Sequence, residues 1–165
     1  NQVSDLKINM IGLDASLVMC YRDEYKTILN SQRGDFEVLL AHEWLQHQIF
    51  PPAKNINDKN FVLINHCTET TALPNTVNVW KNIFEQSNLI LNSVNTGCCG
   101  MAGTYGHEAK NLDNSRALYE MSWKPVIEKN QRHIILATGF SCRSQVKRFE
   151  DFKPRHPIEL LAEIL

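Results

Sequence analysis

The chain carries almost no charge imbalance, few cysteines and no long apolar run. Its 17 Lys and Arg against 18 Asp and Glu give a formal net charge of −1. No basic excess exists to neutralise phosphates, which argues against a nucleic-acid partner. No apolar stretch approaches the roughly 20 residues that a membrane-spanning helix needs. The opening residues, Asn1-Gln2-Val3-Ser4-Asp5, lack the charged-then-apolar order of a secretory signal peptide. Without an initiating Met, they read as the interior of a longer protein. Five cysteines in 165 residues are too few for a small disulfide scaffold. The expectation is a reducing, cytoplasmic compartment in which thiols serve metal or redox chemistry.

What is present suits one folded domain. Apolar residues make up 43% and charged residues 21%, the balance of a globular chain rather than a disordered one. A chain of this length buries roughly 70% of its unfolded surface.

Hydrophobic periodicity divides the chain into alternating strands and helices. Lys7 to Gly12 reads as a short buried strand. A helix over Ser16 to Leu29 follows, with Ser16 as its N-cap. Arg33-Gly34-Asp35 breaks the pattern, and Asp35 is expected to cap a second helix carrying Phe36, Leu39, Leu40, Glu43, Trp44 and His47. Pro51-Pro52 ends it. Phe61 to Asn65 reads as a strand ending at His66-Cys67, and Pro74 opens a helix through Phe84. Leu89-Ile90-Leu91 begins a strand that runs into Gly97-Cys98-Cys99-Gly100. A helix over Ala109 to Trp123 comes next, then a strand over His133 to Ala137 leading to Gly139-Phe140-Ser141-Cys142, and a last helix from Pro157 to Leu165. The order implies an α/β fold with a largely parallel sheet and flanking helices.

The chain also reads as two copies of one pattern. Gly12 to Tyr25 followed by Glu37-Val38-Leu39-Leu40-Ala41 matches Ala137 to Phe149 followed by Glu159-Leu160-Leu161-Ala162, with Leu17 in the place of Cys142. On this reading residues 1–50 are the back half of a first repeat, residues 58–165 are a complete second repeat, and together they make one compact domain.

Cys67, Cys98, Cys99 and Cys142 all fall just after strands, where parallel sheets place their ligand crevices. Cys98 and Cys99 are neighbours, with Cα atoms about 3.8 Å apart, too close for an ordinary disulfide. They suit two thiolates offered by one turn, the ligand type of iron–sulfur clusters and structural zinc. Gly97, Gly100, Gly103 and Gly106 make this loop permissive of positive φ, so that successive N–H groups can point at sulfur. The loop is expected to lead into a helix N-terminus, which favours thiolate. His66 and His107 could each be a ligand, a hydrogen-bond donor to the site or a plain helix cap. Arg143 is expected to place positive charge near the thiolates. Cys20 reads as core, as do Trp44, Trp80 and Trp123, while His42, His47 and His133 read as surface. Gly139 to Arg143 is partly like a nucleophile elbow, but Arg143 replaces the second glycine. The glycine loop has neither a phosphate-loop Lys-Ser/Thr nor G-x-G-x-x-G.

The run Cys98-Cys99-Gly100-Met101-Ala102-Gly103-Thr104-Tyr105-Gly106-His107-Glu108 resembles the signature of the cysteine-rich CCG domain. His66-Cys67, Gly139 to Gln145 and Arg155 to Leu161 complete the resemblance to one repeat of that domain, and Gly12 to Ser16 with Arg22 to Tyr25 looks like the end of another. CCG domains occur in FAD-linked oxidases, in the iron–sulfur component of glycolate oxidase, in anaerobic glycerol-3-phosphate dehydrogenase and in heterodisulfide reductase. The chain is similar to the C-terminal part of bacterial FAD-linked oxidases of the D-lactate and D-2-hydroxyglutarate dehydrogenase kind. The resemblance implies an electron-transfer domain with a 4Fe–4S type cluster on Cys67, Cys98, Cys99 and Cys142. It also implies an upstream flavin domain that holds FAD, ferredoxin-like domains beside it, and an electron acceptor at the membrane. Catalytic residues would lie outside this chain. Leu17 stands where many members have a cysteine, and Cys142 is followed by Arg143-Ser144-Gln145 where the fuller pattern reads C-x-x-C. A docking domain with zinc or free thiols is the alternative these departures leave.

Overall fold

The structure is a computed structural model that describes residues 8–165 except Arg33, Asp35 and Asn55. It is α/β, and its strands form two parallel sheets rather than one. β1 (Met10–Gly12) pairs with β2 (Val38–Leu40), and β3 (Asn60–Ile64), β4 (Ile90–Ser93) and β5 (Ile135–Ala137) form a sheet in the order β4-β3-β5. Parallel neighbours require crossovers. Helices α4 (Cys67–Ala72) and α5 (Thr76–Gln86) join β3 to β4. Helices α6 (Leu112–Ser122) and α7 (Lys124–Lys129) join β4 to β5.

The central strand shows why this sheet lies where it does. β3 reads Asn-Phe-Val-Leu-Ile and is buried from Phe61 onward, the near-continuous apolar run of a strand covered on both faces. Phe61 and Leu63 pack with Trp80, Ile83, Phe84, Leu160 and Leu161 on one side. Ile64 packs with Tyr119, Trp123, Ile127, Cys142 and Val146 on the other. Burying one such large side chain contributes about 1.5–3 kcal/mol.

Several sequence expectations change at this level. The first helix is not continuous over 16–29: α1 (Ala15–Arg22) stops at Asp23 and α2 (Glu24–Leu29) restarts. Its cap is Asp14, not Ser16, because the Asp14 carboxylate accepts from the Ser16 and Leu17 amides at 3.0 and 3.4 Å. The helix expected from Asp35 is instead β2 followed by the short α3 (Ala41–Leu45). Val38 and Leu40 are buried in the alternating pattern of a strand, and the pairing with β1 outweighs the helical spacing of Phe36, Leu39 and Leu40. Asp35 itself lies outside the described residues. α4 has no counterpart among the sequence expectations, since Cys-Thr-Glu-Thr-Thr-Ala shows no apolar period. Residues 132–134 form a 3₁₀ turn, which shortens the last strand to Ile135–Ala137. Two further helices, α8 (Phe140–Glu150) and α9 (Pro157–Ile164), close the chain. No helix among the described residues is long and apolar enough to cross a membrane.

Two stretches share their hydrogen bonding. β1 with α1, and β5 with α8, each begin 125 positions apart. Beyond β1, Arg22 Nε donates to the Val38 carbonyl at 2.8 Å and its guanidinium pairs with Glu43. Beyond β5, Arg143 Nε donates to the Pro154 carbonyl at 2.8 Å and its guanidinium pairs with Glu159. Glu43 and Glu159 each accept the backbone N–H three residues earlier, from Leu40 and His156, both at 2.7 Å. In this bonding Glu43 takes the part that Glu159 takes, six residues after the Glu37 of the sequence match, while Arg22 lies one helical turn further along its helix than Arg143 does. β5 has β3 on one edge and a bridge to Arg155 on the other. β1 has β2 on one edge and, among the described residues, nothing on the other.

Candidate functional site

β3 sits between β4 and β5, so the chain leaves β3 toward one side and returns to β5 on the other. Divergence of this kind opens a crevice at the carboxyl ends of the strands. A cavity of about 590 Å³ lies there, lined by Cys67, Cys98, Cys99, His66, Gly103, Phe140 and Ser141, and by Asp14, Ser16 and Leu17 from the first stretch. Three of the four expected cysteines therefore share one pocket. Cys142 does not line it. It is buried in the core behind Cys99, to which its thiol donates a hydrogen bond. Cys20 is half-buried on α1, outside the pocket.

The thiols differ in acidity because they differ in partners. The Cys142 hydrogen bond, aided by the Met101 N–H, lowers Cys99 to about 7 against the pull of burial. Giving that hydrogen bond raises Cys142, and burial raises it further. Burial also raises Cys98, together with repulsion from Cys99 and Cys67, while the Gly100 and Ala102 amides oppose the rise. The Gly100 N–H lies 3.3 Å from Cys98 Sγ. The pair thus favours ionisation at Cys99, the sulfur that lines the pocket, over Cys142.

The loop geometry follows from its glycines. Gly100 has φ +86°, and a Cβ there would collide with the Ser115 carbonyl oxygen. Gly103 has φ +65° with open space around it. The expected helix start at Ala109 is replaced by 3₁₀ turns over 105–107 and 109–111. The cysteine turn therefore does not sit on a helix N-terminus, and loop amides face the Cys98 sulfur instead.

His66 caps α4, its Nδ1 accepting from the Thr68 N–H at 3.2 Å, and it also lines the pocket. His107 is exposed on a 3₁₀ turn away from the pocket. Gly97 accepts from Trp123 Nε1 at 3.1 Å, which anchors the start of the turn. Arg143 points away from the thiols, toward Pro154 and Glu159. Its expected charge therefore serves α9 rather than the sulfurs.

Sequence reasoning missed the polar residues that hold this site. Asp14 caps α1 with one carboxylate oxygen and accepts the Phe140 N–H with the other at 3.1 Å, joining the starts of α1 and α8. Glu69 is only 2% exposed. It accepts from Thr76 Oγ1 at 2.6 Å, from Trp80 Nε1 at 3.2 Å and from the Thr138 hydroxyl. Thr138 in turn accepts the His66 N–H at 2.9 Å. His42, expected on the surface, is buried against this group, with Nδ1 3.5 Å from Glu69 and Nε2 3.0 Å from Thr76. The whole set ties α3, α4, α5 and the end of β5 to the turn that carries Cys67.

No three His, Cys, Asp or Glu side chains among the described residues stand together in a way that could hold a single metal ion. The donor set is nonetheless soft and specific, since three thiols and one imidazole line a single pocket.

Over its whole length the chain is 49% identical to a D-2-hydroxyglutarate dehydrogenase of Pantoea ananatis and 43% identical to one of Haemophilus influenzae. It is related from end to end to one segment of these dehydrogenases. That segment is 16–17% of each relative's length. A component of the anaerobic glycerol-3-phosphate dehydrogenase of Escherichia coli is 26% identical over 96% of this chain and 41% of its own. No family model matches the chain, and no solved structure does.

Proposed function

We propose that this chain is the cysteine-rich electron-transfer domain of an FAD-linked D-2-hydroxyacid dehydrogenase, with D-2-hydroxyglutarate or D-lactate as substrate. The observation that carries the reading is one pocket at the carboxyl ends of a parallel sheet, lined by Cys67, Cys98 and Cys99, with Cys142 against Cys99. The four cysteines would hold an iron–sulfur cluster of the 4Fe–4S type. The donors fit such a group better than a lone ion: they do not close around one point, whereas a cluster spreads its thiolate ligands over several irons. When bound, the cluster would accept and release single electrons. The chain's own residues would orient the sulfurs through the Gly100 turn, hold the His66-Cys67 turn through Thr138 and Glu69, and roof the site with Leu17 and Phe140.

FAD and the residues that act on the hydroxy acid would lie in the rest of the longer protein, alongside ferredoxin-like domains, with electrons leaving to an acceptor at the inner face of the membrane. The shared hydrogen bonding around Arg22–Glu43 and Arg143–Glu159 supports the reading of residues 1–50 as part of a first repeat. The edge of β1 that has no partner among the described residues favours a second role beside electron transfer. Parallel sheets of two strands are rare and poorly covered, so this edge suits docking to a strand from the remainder of the protein.

The test is iron, acid-labile sulfide and zinc content of the anaerobically purified full-length protein, against a Cys98→Ser/Cys99→Ser variant. Loss of part of the iron and sulfide in the variant supports the cluster. Equal iron and sulfide in both sinks it. Zinc in place of iron, or no metal, turns the reading to a docking domain alone.

A further inference from the structure

We infer that Gln145 is the positioning residue of the Cys98-Cys99-Gly100 turn. Its side chain is fully buried on α8. Its amide nitrogen donates to the Cys99 carbonyl at 3.0 Å and to Ser115 Oγ at 2.7 Å. Ser115, also fully buried, passes its own proton to the Gly100 carbonyl at 2.7 Å. One amide group thus fixes two consecutive carbonyls of the turn that presents two sulfurs.

The direction of this chain of bonds has no alternative. Both ends are carbonyl oxygens, which only accept. The Gln145 NH₂ must face Cys99, the Ser115 hydroxyl must point at Gly100, and the second amide proton falls to Ser115. The amide oxygen is left over, and Oε1 is buried and has no partner among the described residues. An orphaned acceptor is costly, so the side chain is held there for its two donors and not for its oxygen. Gly100 completes the fit. Its bare Cα lies against Ser115 and Gln145, and a Cβ would strike the Ser115 carbonyl and approach Gln145 Nε2 to 3.1 Å. The turn is seated on this pair.

The inference concerns the cysteines of the proposed function but rests on the turn's own hydrogen bonds, whatever the sulfurs hold. It is tested on the full-length protein, stripped of metal under anaerobic conditions, by iodoacetamide alkylation followed at each cysteine by mass spectrometry. Gln145→Met keeps the length and removes both donors. Alkylation of Cys98 and Cys99 should accelerate roughly tenfold, the scale of losing about one buried hydrogen bond to a locally opening segment. Cys67, on a different turn, should keep its rate. Gln145→Glu should fall between, because a carboxyl kept neutral by burial still donates once. Ser115→Ala, which removes only the relay to Gly100, should accelerate the same two cysteines by less, and it decides the matter if the Met variant does not fold. Unchanged rates at Cys98 and Cys99 in folded variants overturn the inference, as does an equal rise at Cys67. Because the reagent reads bare thiols, a wild-type protein without iron counts against the cluster and leaves this measurement intact.

Discussion

Acid should loosen this domain through His156. Its ring is buried at the start of α9, edge-on to Trp80 with 5.9 Å between ring centres. Nδ1 accepts the Ile158 N–H at 3.2 Å, so the ring must be neutral to act as the cap. Burial lowers its pKa to about 4, and Arg143 and His42 push the same way, against Glu69 and Glu159. An unfolded chain binds this proton near pH 6.5. Between those values the unfolded state holds more protons, so stability falls as pH falls. The total over the window is about 3 kcal/mol, and the share lost between pH 7 and pH 5 is about 2 kcal/mol. His42, lowered chiefly by its own burial, adds in the same direction. The variant His156→Asn keeps a capping acceptor and cannot titrate. Urea unfolding of the 165-residue chain, followed by the emission of buried Trp80 and Trp123, should give wild type a drop between pH 7 and pH 5 that exceeds the variant's by about 2 kcal/mol. A pH-independent offset between the two proteins would report the lost contact with Trp80. Equal drops would refute the assignment of acid lability to this ring.

Three further expectations rest on single residues. Gly100→Ala should destabilise the chain by about 2 kcal/mol or more, since φ +86° and the Ser115 carbonyl both oppose a Cβ; an unchanged urea midpoint would contradict the turn as described. Glu69→Leu leaves the Thr76, Trp80 and Thr138 donors buried without their acceptor, and should cost about 3 kcal/mol or more. Hydrogen exchange at the His66 and Thr68 amides should rise with it, and protected amides there would argue against the network. Asp14→Ala removes a helix cap and the Phe140 partner together. It should cost about 1–2 kcal/mol and expose the pocket floor to alkylation more than Asp14→Asn does.

The sulfur in this site was legible in the sequence and its support was not, for a physical reason. Cysteine after a strand and glycine in a turn are local signals, and Cys67, Cys98 and Cys99 do share one pocket. β3 and α5 were legible too, because a strand buried on both faces and a helix with one apolar face each write their period into neighbouring residues. β2 was not. Its three residues match a helical face as well as a strand, and only the pairing of Val38 and Leu40 with Met10 and Gly12 decides. The polar support is less visible still, because its bonds span the chain: 46 residues separate Gln145 from Cys99, and 69 separate Thr138 from Glu69. A glutamine on an amphipathic helix reads as solvent-facing by composition. One signal argued otherwise. Gln145 lies three residues after Cys142 and one before Val146, so a helix that turns Cys142 inward also turns Gln145 inward. A polar side chain forced onto the buried face must find partners there. Gln145 finds them in Ser115 and in the Cys99 carbonyl of the turn carrying the cysteines, which is why the residue that departs from the fuller cysteine pattern still holds that turn.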